Sequence, residues 1–144
     1  MRLVPICSVV LLLVVAAAGC ESRTTIPDGA QQVRVTANAA SIQVAPGTVH
    51  AGDVYLVLDQ LPPGVVVAFV RSGTGDSLTT ADLARLAQNV DAAGLSSETM
   101  DVSCCGNVYK KTLAPGTYAL VVEDPRTGQP GLPPRSIAVI DVRP

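Results

Sequence analysis

Read for the spacing of its apolar positions, the chain falls into three stretches. Residues 3–19 form a nearly unbroken apolar run without a charge, and 21–31 form a short polar stretch that contains Pro27-Asp28-Gly29. From Val33 onward, a period of two takes over. Val33, Val35 and Ala37 alternate with Arg34 and Thr36, as expected for a strand with one face buried. Ile42 and Val44 resume the alternation beyond a break at Asn38. Residues 54–58 and 65–70 are apolar at successive positions, which predicts central strands covered on both faces. Residues 108–113, 118–122 and 137–142 supply three more strands. Seven strands separated by turn signals predict an all-β protein, a Greek-key β-sandwich.

The turn residues fit that reading. Ala45-Pro46-Gly47-Thr48 and Ala114-Pro115-Gly116-Thr117 are the same tetrapeptide, and Pro62-Pro63-Gly64 is similar. In a type II turn, Pro presets φ at the second position and Gly accepts the positive φ of the third. One segment departs from the β pattern. Thr79 and Asp82 have capping-box spacing, and Leu83, Leu86 and Val90 then repeat at helical intervals. They predict one short inserted helix over 80–89, its Leu stripe lying on the sandwich edge. Residues 91–106 read as a long loop with little regular structure.

The apolar start is laid out as an export signal: Arg2, an apolar middle, then small residues. Pro5 and the Ala-Ala-Ala-Gly stretch make it a poor permanent helix, and Glu21 follows in place of a basic stop-transfer flank. Ala17-Ala18-Gly19-Cys20 resembles the lipobox of bacterial lipoproteins, with Ala17 standing where Leu is commonest. The resemblance implies that Cys20 receives a diacylglycerol thioether and becomes the first mature residue. It divides the chain into a signal peptide (1–19), a lipidated tether (20–32) and one domain (33–144). Removal of Arg2 from the ten Lys and Arg leaves nine against twelve Asp and Glu. Lys110-Lys111 is the only adjacent basic pair, so nucleic acid is not an expected partner. The expected location is the cell membrane, lipid-anchored and facing the periplasm or the exterior.

Leu113-Ala114-Pro115-Gly116-Thr117-Tyr118 and the apolar residues after it resemble the penultimate hairpin of cupredoxin-like domains. There an L-x-P-G-x-Y turn leads into the strand that delivers a copper-binding cysteine. Asp124-Pro125 and Gly128-Gln129-Pro130 resemble that family's ligand loop. Immunoglobulin-like sandwiches share a Pro-Gly-x-Tyr corner and are the second choice. A blue-copper site needs two His and one Cys. The cupredoxin resemblance puts Val67 near the first histidine, Val122 at the cysteine and Gly131 at the second histidine, while the whole chain holds one histidine, His50. The scaffold is therefore expected without a type 1 copper site, and no cofactor is expected.

Cys104-Cys105 is the remaining chemical feature. Adjacent Cα atoms lie about 3.8 Å apart, below the usual disulfide span of about 4.4–6.8 Å, so a vicinal bridge would be strained and easily reduced. Four readings stay open: a disulfide that stiffens its loop, a redox-responsive pair, a soft-metal site with Met100 or His50, or intermolecular bonding. No His is set with a Ser or Cys as a nucleophile–base pair. Ser72-Gly73-Thr74-Gly75-Asp76 lacks the Lys of a phosphate loop and reads as an exposed hairpin tip. Asp53, Asp59, Asp76 and Glu123-Asp124 lack calcium-loop spacing and read as solvated strand ends. The functional expectation is a non-enzymatic envelope module that binds a protein or small ligand or serves a structural role. The alternative is thiol redox or copper handling at Cys104-Cys105.

Overall fold

The computed structural model describes residues 24–38, 41–74, 77–88, 94–100, 102, 106–123 and 137–144. Nine strands and one helix follow in chain order: β1 Gln31–Ala37, β2 Ile42–Ala45, β3 Thr48–His50, β4 Gly52–Asp59, β5 Val66–Ser72, α1 Thr80–Gln88, β6 Leu95–Met100, β7 Val108–Leu113, β8 Gly116–Glu123 and β9 Ile137–Arg143. They form two facing sheets, one ordered β2-β1-β4-β7 and the other β3-β9-β8-β5-β6. The all-β sandwich with one short helix is therefore the architecture. Each sheet contains one parallel pair, β1 with β4 and β3 with β9.

The core lies between the sheets. Val33, Val35, Val54, Leu56, Val67, Leu120 and Ile140 contribute fully buried side chains from both of them. Phe69 and Tyr118 stack there with ring centroids 5.7 Å apart. Among the described residues no polar or charged residue is buried. A smaller cluster lies on the outer face of the five-stranded sheet, where Ala68, Val70, Ala119 and Val121 meet Leu78 and Leu86. α1 thus covers a sheet face and does not lie on the sandwich edge. Its capping box forms as the spacing predicts: Thr79 N–H donates to Asp82 Oδ2 at 2.9 Å, and Asp82 N–H to Thr79 Oγ1 at 3.1 Å. The helix ends at Gln88, and Val90 lies outside the described residues.

β5 is apolar on both faces for the expected reason, since Val67 and Phe69 enter the main core while Ala68 and Val70 enter the smaller one. β4 differs. Val54, Leu56 and Leu58 point into the core, whereas Tyr55 and Val57 lie on the opposite face outside both apolar clusters, Tyr55 buried at 6 % exposure and Val57 half-buried. Tyr55 lies in register between Gln32 and Lys110.

Two short strands lie where none is expected. β3 contributes a single buried residue, Val49, and β6 lies within the expected 91–106 loop. β6 is a sheet edge whose middle positions are exposed, so the apolar alternation that marks other strands is absent from it. Gly73 N–H reaches Gly94 O at 2.6 Å and extends the β5–β6 pairing. Residues 72–74 therefore open the excursion that carries α1 and are not a hairpin tip; Gly75 and Asp76 lie outside the described residues.

The two Ala-Pro-Gly-Thr segments do the same topological job. Each carries the chain from the four-stranded sheet to the other one, β2 to β3 and β7 to β8. Proline donates no ladder hydrogen bond, so it suits the point where a strand leaves its sheet. The resemblance to a hairpin at 113–118 thus resolves into a crossing between sheets. Gly47 has no positive φ and Gly116 has φ 152°, so neither segment is a type II turn. The type II geometry appears at 62–65, where Gly64 has φ 82° and Val65 N–H donates to Pro62 O at 3.1 Å.

Candidate functional site

The strands give the sandwich two unlike ends. β1 enters at Gln31, and the same end receives His50, the start of β8 and the finish of β9. Here the Gln31 amide brackets the His50 backbone. Its Nε2 donates to His50 O at 3.0 Å, and its Oε1 accepts from His50 N–H at 2.7 Å. His50 Nδ1 lies 3.1 Å from Pro144 O. This end is thus laced across both sheets. The far end gathers the finish of β1, β4, β6 and β8 with the start of β2, β5, β7 and β9.

Two of the residues that the cupredoxin resemblance places at copper, Val67 and Val122, come together at the far end, with Met100 beside them. Val122 on β8, Val67 on β5 and Met100 on β6 occupy one row, with Val67 in register with both neighbours. They are 5 %, 0 % and 0 % exposed and belong to the main core. Two β-branched hydrocarbons and a thioether packed in this way fill the ground between the sheets. The third position, Gly131, lies outside the described residues.

The soft-metal reading calls for Met100 or His50 beside Cys104-Cys105, and the two candidates lie far apart. His50 is on β3 and Met100 on β6, the two opposite edges of the five-stranded sheet. Four strand spacings of about 4.8 Å separate them by roughly 19 Å. Met100 is also enclosed in the core. Cys20, Cys104 and Cys105 lie outside the described residues, and among the described ones no cluster of metal-ligating side chains occurs.

A groove of about 290 Å³ opens at the far end, with Asn38 and Ser41 on one side and the 60–62 stretch on the other. Thr36, Asn38, Ser41, Gln43, Gln60 and Pro62 line it. Asn38 shapes one wall, since its Oδ1 accepts from Ser41 N–H at 2.8 Å while its own N–H donates to Ser41 O at 2.9 Å. Gln60 adopts a left-handed φ of 53°. The lining mixes hydroxyl and amide groups with the apolar Ala37 and Pro62 and carries no charge, so it supplies neither general base nor nucleophile–base pair. Sequence reasoning missed this groove because its parts come from three separate segments, none bearing a motif.

The acidic residues are engaged locally. Asp53 bonds Lys110 at 2.7 Å and accepts from Thr112 Oγ1 at 2.7 Å, which together hold its carboxyl below the usual aspartate range. The same hydrogen bond to Asp53 raises Lys110. Asp59 pairs with Arg34 at 3.7 Å, at the other end of β4 from Asp53. The two carboxylates thus do not converge on a cation. Asp82 is lowered first by the Thr79 backbone N–H, then by Arg85 and the Thr79 hydroxyl. The Tyr118 hydroxyl donates to Ala114 O at 3.0 Å, the backbone bond made by the Pro-Gly-x-Tyr corner of immunoglobulin-like sandwiches. Comparison of the chain with family models, with curated proteins and with solved structures returns no match.

Proposed function

We propose that the chain is a lipid-anchored envelope protein whose cupredoxin-like sandwich, without a blue-copper site, works as a non-catalytic binding or structural module. Cys20 carries the lipid, and the tether is shorter than the expected 20–32, since Gln31 and Gln32 already belong to β1. The observation that carries the reading is the Val122–Val67 pair, apolar side chains at two positions where the cupredoxin resemblance calls for copper ligands, with Met100 packed beside them. The parallel pair in each sheet favours a cupredoxin-like arrangement over the antiparallel sheets of the immunoglobulin one.

The geometry then gives the module a direction. The chain of 21–30 reaches at most about 35 Å when extended, and it joins the domain at Gln31. β1 carries the far end roughly 20 Å beyond that junction. The uncharged groove at the far end is accordingly the surface offered to a ligand or partner outside the membrane.

Mass spectrometry of native protein, together with fractionation of Cys20→Ser, tests the anchor. The expected result is a diacylglycerol adduct on Cys20 and release of the Cys20→Ser protein from the membrane. An unmodified Cys20 in membrane-bound protein overturns it. Copper titration tests the module: uptake of one equivalent with intense visible absorption overturns the copper-free reading.

A further inference from the structure

The chain crosses from one sheet to the other on both sides of the sandwich, from β2 to β3 on one and from β6 to β7 on the other. On the second side β7 and β6 are the outermost described strands of their sheets. A free edge offers unpaired backbone groups to any second strand, and inward-pointing charges are one way to blunt it.

Both edges carry such a charge. Lys111 is in register with Val54, an inward core position, and lies between the inward Tyr109 and Leu113. Alternation calls for an apolar residue at 111. Glu98 is in register with the inward Phe69. The Lys111 ammonium pairs with the Glu98 carboxylate across the seam and sits 5.4 Å from the centroid of the Phe69 ring. The Lys111 side chain is 13 % exposed and that of Glu98 is 58 % exposed, so the stem closes the core while the charged tip reaches water.

We propose that Lys111 and Glu98 form an edge guard that prevents a second copy of this chain from pairing along β6 or β7. An apolar side chain at 111 would continue the stripe of Tyr109 and Leu113 out to the seam. It would leave a flat strand edge with no charge to desolvate when another strand approaches. With the pair present, docking a strand there strips water from both charges.

Sedimentation of the folded domain across a wide concentration range, with amide hydrogen exchange, tests the guard. The wild-type domain stays monomeric. Lys111→Met and Glu98→Val each form concentration-dependent oligomers of at least twice the monomer mass, with new exchange protection confined to β6 and β7. The exchanged pair, Lys111→Glu with Glu98→Lys, keeps a charge on each edge and stays monomeric. If Lys111→Met does not fold, Glu98→Val decides, because its side chain lies mostly in water. Monomeric behaviour of the folded apolar variants overturns the proposal. So does association without protection at the edges, or association of the exchanged pair equal to that of the apolar variants.

Discussion

The outer faces of the two sheets differ more than their inner faces do. Behind the five-stranded sheet, Ala68, Val70, Ala119 and Val121 are covered by Leu78 and α1, with Leu83 at the margin. Behind the four-stranded sheet, Gln32, Arg34, Tyr55, Val57 and Lys110 share a face with no described helix or strand upon it. The cause is local. β5 and β8 place small or β-branched residues outward, which lets a helix approach closely. On the barer face, Asp53 is held by Lys110 and Thr112, and Arg34 by Asp59. One sheet is thus finished by a helix and the other by its own polar side chains.

The largest expected break in this comparison comes from emptying the covered face. Leu86 is fully buried under α1, and Leu86→Ala removes the side chain that fixes the helix to Val70 and Val121. Such a truncation costs about 2–5 kcal/mol. A nine-residue helix has little stability of its own, so the loss should be accompanied by loss of helical signal. Val57→Thr on the barer face should cost below about 0.5 kcal/mol. Denaturant melts of both variants decide the matter. Equal losses would mean that the two faces are equally covered.

The same contrast explains what the sequence discloses. An unbroken apolar stretch at 65–70 marks a strand buried on both faces, and β5 has that environment. The equally apolar 54–58 stretch marks a central strand too, but its outward Tyr55 and Val57 join neither apolar cluster, and Tyr55 is buried without a described helix over it. Periodicity reports hydrophobicity and does not say what supplies the cover. β6 was hidden because an edge strand needs little apolar surface, and Glu98 takes an inward position where a buried strand would have an apolar residue. The capping box at Thr79 and Asp82 was legible because both partners lie within one turn. The far-end groove was not, since it depends on which loops the two sheets bring together.

A smaller effect is expected where the helix lead-in docks. Thr117 N–H donates to Ser77 Oγ at 2.7 Å, and Leu78 N–H donates to Thr117 O at 2.9 Å. A Cβ at Gly116 would fall 2.7 Å from Ser77 Cβ and 3.2 Å from Ser77 Cα. Gly116→Ala must therefore push the 77–79 segment away, at a cost of about 1–3 kcal/mol for the strained backbone. Hydrogen exchange should show lost protection at Leu78 and along α1, while β1 and β4 keep theirs. Uniform loss through both sheets would mean that the lead-in is not a separable part of the covered face.

The smallest effect separates the faces by pH. Asp82 and Asp53 both titrate below their ordinary range in the folded protein, Asp82 chiefly through the Thr79 backbone N–H and Asp53 chiefly through Lys110. A depressed folded-state pKa contributes stability that is fully present above the unfolded value, about 3.9 for aspartate, and is lost as pH falls through the folded one. Neither group should therefore alter stability between about pH 5 and 8, and both should weaken the fold in stronger acid. The structural consequences differ. Protonation of Asp82 removes one half of the capping box and loosens α1 over the smaller core, whereas protonation of Asp53 frees Lys110 and Thr112 on a face with no helix to lose. Acid titration by circular dichroism should thus show a loss of helical signal in strong acid that Asp82→Asn brings into neutral solution. Asp53→Asn should leave that loss where it was. If Asp53→Asn moves the helical transition as far as Asp82→Asn does, the two faces are coupled, and the separation between a helix-finished sheet and a self-finished one fails.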